Sequence, residues 1–394
     1  MKILVANIGS TTYKYRLIET SAGQNLAQGK AERIGSSGSQ FADYKAAIEF
    51  SLGELVGDGK PLQTLAQLDA ISFKTVHGGP CSGARLVDDS VLQALEEFTF
   101  YAPAHNVPYL AAMRAFAKAV PDVPLVAVFE TAFFASIEEA AVTYAVPYEW
   151  KQDFGIRRYG FHGASHRAAS ERVAELVNKP NLRHISCHLG GSSSLAAIRS
   201  GIAIDTSFGI SPQSGLPQNN RVGDIDVFAV LAMMKQLSFN PDQMAGLLST
   251  KAGLAGISGC SGDVRDLMES ASNGDDRSRL AMDVYVRSVR NYIAQFFVAL
   301  GGLDVLSFTG GIGENSVEMR NRICDGLDIL GIELDSAANA LASGEACIEK
   351  QNSSVRILVV PADEERVVAR ATVEILSGSV PPSASSTGNG RCKN

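Results

Sequence analysis

Ile3-Leu4-Val5-Ala6-Asn7-Ile8-Gly9-Ser10-Thr11-Thr12-Tyr13-Lys14-Tyr15-Arg16-Leu17-Ile18-Glu19 reads as two strands around a turn of small residues. The first strand, 3–5, is apolar throughout. The second, 13–19, alternates, with Tyr13, Tyr15 and Leu17 on one side and Lys14 and Arg16 on the other, the period-two pattern of a half-buried strand. The turn combines Gly9 with the hydroxyls of Ser10, Thr11 and Thr12. Backbone N–H groups there can approach a phosphate oxygen closely, with the positive charge of Lys14 just beyond. A plain β-hairpin is the other reading. The design recurs once. Strands at 184–188 and 195–198 flank Leu189-Gly190-Gly191-Ser192-Ser193-Ser194, which suggests two related halves.

Outward from these turns, strands alternate with helices. Apolar runs at 68–73, 124–129, 305–308 and 355–360 read as buried strands. Helical spacing appears at 89–100, 109–120, 281–300 and 316–327, and a closing helix follows residue 365. The segment 102–108, with Pro103 and Pro108, reads as a loop. This order predicts an α/β fold. The 394 residues predict two domains. Net charge is −7, which argues against a nucleic-acid binder. No run approaches the ~20 apolar residues of a membrane span, and the first residues carry no signal-peptide design. Six scattered cysteines without a C-x-x-C pair argue against a disulfide framework or a zinc site and for a reducing cytoplasm. From 377 onward Ser, Pro and Gly dominate, and 380–394 is expected to be a disordered tail.

Four further signals carry chemistry. Thr309-Gly310-Gly311-Ile312-Gly313-Glu314-Asn315 is a third Gly-rich turn, fit for a backbone platform under a nucleotide or for a tight strand-to-helix turn; Asn315 or Ser316 is placed to cap the next helix. All six histidines fall between residues 77 and 188, five of them beside Gly, Pro or Ser turns, and His162 and His166 are four apart; core histidines are the alternative. Asn7, Glu130 and Glu364 stand at strand ends, where open α/β folds bind ligands and where Mg²⁺ needs few protein oxygens; first-turn acids favoured by the helix dipole are the alternative. Arg221 precedes Asp224 and Asp226, as an anion clamp or as half of a local salt bridge.

Taken in order, these stretches resemble the acetate kinase family of acyl-phosphate-forming kinases, over nearly the whole chain to about residue 377. The resemblance rests on Asn7 to Lys14, Val76-His77-Gly78-Gly79, Ala102-Pro103-Ala104-His105-Asn106, Val128-Phe129-Glu130-Thr131-Ala132-Phe133, Tyr159-Gly160-Phe161-His162-Gly163-Ala164-Ser165-His166, Cys187-His188-Leu189-Gly190, Arg221-Val222-Gly223-Asp224-Ile225-Asp226, Gly311-Ile312-Gly313-Glu314-Asn315-Ser316 and Pro361-Ala362-Asp363-Glu364-Glu365. It implies two similar ribonuclease H-like domains of the acetate and sugar kinase, Hsp70 and actin fold around a cleft. Residues 1–134 with 366–379 would form the first and 135–365 the nucleotide-binding second. It also implies a cytoplasmic homodimer, ATP with Mg²⁺ or Mn²⁺, and reversible phosphoryl transfer to a short carboxylate. By resemblance Asn7 and Glu364 would hold the metal. Lys14, His188, Leu189, Gly190, Gly191 and Ser192 would hold the ATP phosphates. Asp263, Val264, Arg265, Gly311, Ile312, Gly313, Glu314 and Asn315 would hold the adenosine. Glu130, His162 and Arg221 would be catalytic, Lys74 would meet the substrate carboxylate, and Val76, Ala104, Phe161 and Pro212 would form the acyl pocket.

Some positions depart from the family. Glu130 stands for an aspartate and Lys74 for an arginine, which keeps the charge and loses the bidentate fork. Phe134 replaces a histidine. Gly191 and Ser192 replace Asn-Gly, and Val264 replaces a phenylalanine; together these could relax nucleotide specificity. Ala104 replaces a leucine and could admit propionate. A binding protein that no longer transfers phosphate is the reading of another class that Lys74 and Glu130 keep open.

Overall fold

The structure is a computed structural model that describes residues 1–9, 11–35 and 39–378. Ser10 and the expected tail at 380–394 lie outside the described residues. The chain divides into two compact units: 1–135 with 146–155 and the residues from 363 onward, and 136–145 with 156–362. Compared with the expected division, 135, 146–155 and 363–365 fall in the first unit. For 363–365 the reason is charge: Arg16 donates to Asp363 at 2.7 Å, and Lys74 holds Glu364 at 2.5 Å.

The first unit is built on β1 (Lys2–Ile8), β2 (Tyr13–Glu19), β3 (Gln24–Ala31), β4 (Ala70–Thr75), β5 (Ala84–Leu86) and β6 (Leu125–Phe129), in the order β3-β2-β1-β4-β6-β5. β1, β4 and β6 run parallel; the other pairings are antiparallel. Successive residues of a strand face opposite sides of its sheet, and β4 shows what covers each. Ser72 shares a 2.6 Å hydrogen bond with Thr372 of the helix Glu364–Leu376. Its neighbour Phe73 packs edge-on, 5.6 Å between centroids, against Phe116 of the helix Pro103–Ala119. The two helices therefore cover opposite faces.

That second helix corrects the expected loop at 102–108. Pro103 occupies its first turn, where a missing N–H costs nothing. Pro108 lies inside the helix, while the N–H groups of His105 and Asn106 both reach the Ala102 carbonyl.

The second unit is built on β7 (Arg183–His188), β8 (Ser194–Arg199), β9 (Ile202–Thr206), β10 (Val305–Thr309), β11 (Ala346–Cys347) and β12 (Arg356–Val359), in the order β11-β12-β10-β7-β8-β9. Read from β9, this is the order of the first sheet, with parallel strands again in the middle and an antiparallel short strand at the far edge. Each sheet even shifts register between its second and third strands, at Leu17/Ile18 and at Ala197/Ile198. The sequence repeat at the two turns is thus a repeat of whole sheets.

Alternation again sorts the core. Ile185, Cys187, Leu306, Phe308, Ile357 and Val359 face the helix Asp276–Leu300, whose Ala281, Tyr285, Val289, Ile293 and Phe296 recur at one-turn spacing. Val305 and Leu358 face the other way, with Val173 of the helix Gly163–Val177.

Candidate active site

In the first unit, functional side chains gather at the carboxyl ends of the parallel strands. Asn7 ends β1 and pairs across the hairpin with the exposed Lys14 of β2. Lys74 lies near the end of β4. Glu130 follows β6 and opens a short 3-10 helix, Glu130–Phe134. Glu364 begins the helix Glu364–Leu376. The Lys74 ammonium lies 2.5 Å from Glu364 and 3.5 Å from Glu130, and all three side chains are nearly buried. Burial works to strip the lysine of its proton, but Glu364 and then Glu130 outweigh it and hold the ammonium well above the usual lysine value. Beside them the buried Tyr109 hydroxyl accepts from the Ile8 N–H at 3.2 Å.

Val76 is buried and Ala104 is exposed in the first turn of its helix. The fully buried Asn106 ties the following loop down, donating to the His77 carbonyl at 2.7 Å and to the Leu95 carbonyl at 2.9 Å. Phe134 is buried and packs on Phe133.

In the second unit the two glycine turns meet. The Ile312 and Gly313 N–H groups both donate to the Leu189 carbonyl, at 2.8 and 3.0 Å. Gly310 has φ +79°, and a Cβ there would lie 2.8 Å from the Leu189 oxygen, so only glycine allows this approach. The expected third turn is in fact a short helix, Gly310–Asn315. Glu314 accepts from the Gly310 N–H at 2.9 Å, pinning the first turn of that helix, and Asn315 donates to the Gly311 carbonyl. Ser316 caps the next helix, Val317–Cys324, through Met319. The fully buried Arg320 donates to the carbonyls of Gly313 and Glu314 at 2.9 and 2.8 Å and to Asn339 at 2.6 Å. Its charge thus sits at the negative end of the short helix.

Asn219 links these turns to 259–265. Its N–H donates to the Gly191 carbonyl at 3.3 Å, and its amide nitrogen lies 3.3 Å from where a Cβ of Gly191 would be. The Asn219 amide therefore lies beside position 191, where the resemblance implies an asparagine. A Cβ on Gly262 would lie 2.1 Å from the Asn219 carbonyl oxygen. Next to it Asp263 caps the helix Val264–Ser272 and pairs with the exposed Arg265 at 2.6 Å. The Val264 side chain faces the core.

Arg221 donates to the Ser192 hydroxyl at 3.1 Å and to Gln218 at 3.3 Å, two neutral groups. Burial pulls its guanidinium below the usual arginine value. The neighbouring acids are engaged elsewhere. Asp224 accepts from the Gly215 N–H and from Tyr292, and Asp226 caps the helix Val227–Leu237. Gln218, fully buried, donates to the carbonyl of the buried Pro212 at 2.8 Å.

His162 opens the helix Gly163–Val177 from a left-handed backbone, φ 58°. Its ring stacks on His188 at 4.2 Å, and it meets Phe208 edge-on at 5.3 Å; Phe208 in turn packs on Phe161. Its Nδ1 lies 2.9 Å from the Ser194 hydroxyl, which also lies 2.8 Å from His166 Nε2. His166 Nδ1 lies 2.9 Å from Ser186, and His188 Nδ1 lies 2.7 Å from Ser165.

The expected residues divide between the units: Asn7, Lys14, Lys74, Val76, Ala104, Glu130 and Glu364 belong to the first, the others to the second. Sequence reasoning missed Gln218, Asn219, Ser194, Ser186 and Arg320. Only Ser194 stands in a stretch quoted above, as the last residue of the turn 189–194; the others carry no spacing signal. Each takes its place through a contact with a residue distant in sequence. Among the described residues no cluster of three or more His, Cys, Asp or Glu forms a metal cage, no disulfide joins two of the five described cysteines, and no helix is long and apolar enough to cross a membrane.

Known proteins match this arrangement. The Acetokinase family matches residues 2–370. The chain is 41% identical to acetate kinase of Thermoanaerobacterium thermosaccharolyticum, over 95% of this chain and 99% of that one. It is 38% identical to acetate kinase of Clostridium novyi, over 95% and 98%. Among solved structures, Porphyromonas gingivalis acetate kinase superposes with a TM-score of 0.85 at 36% identity, over 95% of this chain and 99% of that one. A propionate kinase from Francisella tularensis superposes with a TM-score of 0.87 at 31% identity, over 94% and 98%. Two sheets of one strand order, with glycine turns at the ends of the parallel strands, define an α/β phosphotransferase of the acetate and sugar kinase, Hsp70 and actin fold. The chain belongs to the acetokinase family, whose members phosphorylate a carboxyl group.

Proposed function

We propose that the chain transfers the γ-phosphoryl group of ATP reversibly to acetate. The observation that carries this is Arg221, held by the neutral Ser192 and Gln218 at the edge of the second glycine turn. A guanidinium so placed presents paired donors to an oxyanion, and such donors strengthen where charge spreads in the transition state. Phosphoryl transfer is in-line and needs positioning and charge stabilisation rather than covalent help. The turn 188–192 and Lys14 bind the phosphates. The segments 263–265 and 311–315 bind the adenosine. His162 and Arg221 stabilise the transferring group. Lys74 orients the acceptor carboxylate and Glu130 orients Lys74.

Asn7 and Glu364 offer an amide and a carboxylate oxygen, the hard donors that Mg²⁺ takes with waters and phosphates, and Mn²⁺ accepts the same set. Glu130 and Glu364 bring two carboxylates against the single ammonium of Lys74, so the group offers more negative than positive charge to a cation. When bound, the ion neutralises phosphate charge.

Propionate is the second reading, supported by the small side chain of Ala104 and the similarity to a propionate kinase. We place the enzyme in the cytoplasm as a homodimer. The helix Val227–Leu237 buries none of its residues and exposes Val227, Phe228, Leu231 and Leu237, an apolar face that a second copy would cover. Hydroxamate trapping with ATP and formate, acetate, propionate or butyrate tests the function. Acyl phosphate from acetate supports it, and a higher kcat/KM for propionate favours the second reading. No acyl phosphate from any acid overturns both.

A further inference from the structure

His162, placed above as a donor to the transferring group, has two ring nitrogens, and only one carries the proton in the neutral imidazole. Which one is set by what the other meets. The hydrogen bonds leading to it run through the interior of the second unit. Ser186, His166 and Ser194 are all fully buried. Ser186 lies on β7 and Ser194 on β8, and His166 of the helix Gly163–Val177 bridges their hydroxyls.

The direction of this chain of bonds can be deduced. A serine hydroxyl has one proton and two lone pairs. Among the described residues, the Ser186 hydroxyl makes a single side-chain hydrogen bond, to His166 Nδ1 at 2.9 Å. If Nδ1 carried a proton, the Ser186 proton would be left in the core without an acceptor, a costly arrangement. Ser186 therefore donates, and His166 Nδ1 accepts. A neutral His166 then carries its proton on Nε2 and donates to Ser194. Ser194 has its own proton left for His162 Nδ1 at 2.9 Å. Burial, with His188 and His184 nearby, holds His166 well below the usual histidine value, in keeping with the neutral ring.

We propose that Ser186, His166 and Ser194 form a one-way relay that fixes His162 with a bare Nδ1 and a protonated Nε2, so that His162 meets the phosphoryl oxygens as a neutral N–H donor. Ser194 is the positioning residue nearest the ring. The role in catalysis rests on the function proposed above; the tautomer itself does not.

The test is a nitrogen NMR spectrum of the full-length protein labelled with ¹⁵N-histidine, the His162 signals assigned by their loss in His162→Gln. A protonated Nε2 and a bare Nδ1 are expected. A protonated Nδ1 on His162 overturns the relay. Ser194→Ala should mix the tautomers and lower kcat about tenfold or more, leaving KM for ATP and for acetate within about twofold. Ser194→Thr, which keeps the hydroxyl, should restore both. An unchanged His162 spectrum in Ser194→Ala, or KM values that rise in step with the loss in kcat, overturns the positioning role. If Ser194 variants fail to fold, Ser186→Ala gives the same readings, since it removes the proton that sets the direction. The expected spectrum in a protein that forms no acyl phosphate would refute the function and leave the relay standing.

Discussion

The Lys74 ammonium reaches the Glu364 carboxylate, 2.5 Å away, from the end of β4 to the start of the helix Glu364–Leu376. With Glu130 at 3.5 Å, one buried cation answers two buried carboxylates. Removing one member of such a group leaves uncompensated charge, which costs about 3–5 kcal/mol. Lys74→Ala should therefore lower unfolding stability by that order in urea titrations, and Lys74→Arg by much less. A loss below about 1 kcal/mol for Lys74→Ala, the scale of an exposed pair, would show that the carboxylates find other compensation.

His184 is buried, shares a 2.7 Å hydrogen bond with Ser307, and is pushed down to about 3 by burial. It stays neutral in the fold and protonates near 6.5 when unfolded. Its contribution is fully present above the unfolded value and is lost as pH falls through the folded one. As pH falls from about 6.5 to 3, stability drops by about 1.4 kcal/mol per pH unit on its account. His184→Asn should flatten the pH dependence of unfolding in that window by this slope. An unchanged slope would contradict the neutral buried ring.

Arg221→Ala should cut kcat by about 100-fold or more, with a much smaller change in the Kd for ATP measured by calorimetry. Arg221→Lys, which keeps charge without the fork, should recover only part of the rate. Equal losses in rate and ATP affinity would make Arg221 a ground-state ligand.

Arg320→Met should destabilise the protein by about 3 kcal/mol, because the carbonyls of Gly313 and Glu314 and the Asn339 amide oxygen lose a buried donor. The short helix Gly310–Asn315 rests on these bonds. The KM for ATP should rise while the KM for acetate stays, as steady-state kinetics with each substrate varied will show. A rise in both would point to a wider collapse.

Ala104→Leu adds the bulk that the resemblance implies at this position. If Ala104 borders the acyl chain, kcat/KM for propionate should fall about tenfold or more relative to acetate. An unchanged ratio of the two acids would remove Ala104 from the acyl pocket.

Much of the architecture is legible in the sequence because it rests on apolar periodicity. The strand at 305–308 and the helix at 281–300 announce themselves, and the two glycine turns mark the repeated sheets. β3 does not, since Gln24-Asn25-Leu26-Ala27-Gln28-Gly29-Lys30-Ala31 holds no β-branched residue and sits at a sheet edge. The helix Pro103–Ala119 hides its first turn behind prolines, which read as punctuation until Pro103 is seen in the first turn. In the site, Glu130 and Glu364 could be picked from their strand ends and Lys74 from the resemblance, but not the bond of Lys74 to Glu364. Ser194 and Arg320 could not, because their roles exist only once β8 lies beside His166 and the helix Val317–Cys324 lies beneath the glycine turn.

The bond between Ser72 and Thr372 joins residues 300 positions apart. It has a temporal meaning. On the ribosome the sheet begun at residue 2 must wait, one face bare, until residues 364–376 emerge. The second sheet is complete at β12 (Arg356–Val359), before that helix has been made. Both sheets thus wait for segments only five residues apart, β12 and the helix Glu364–Leu376, so neither unit can finish folding early in synthesis.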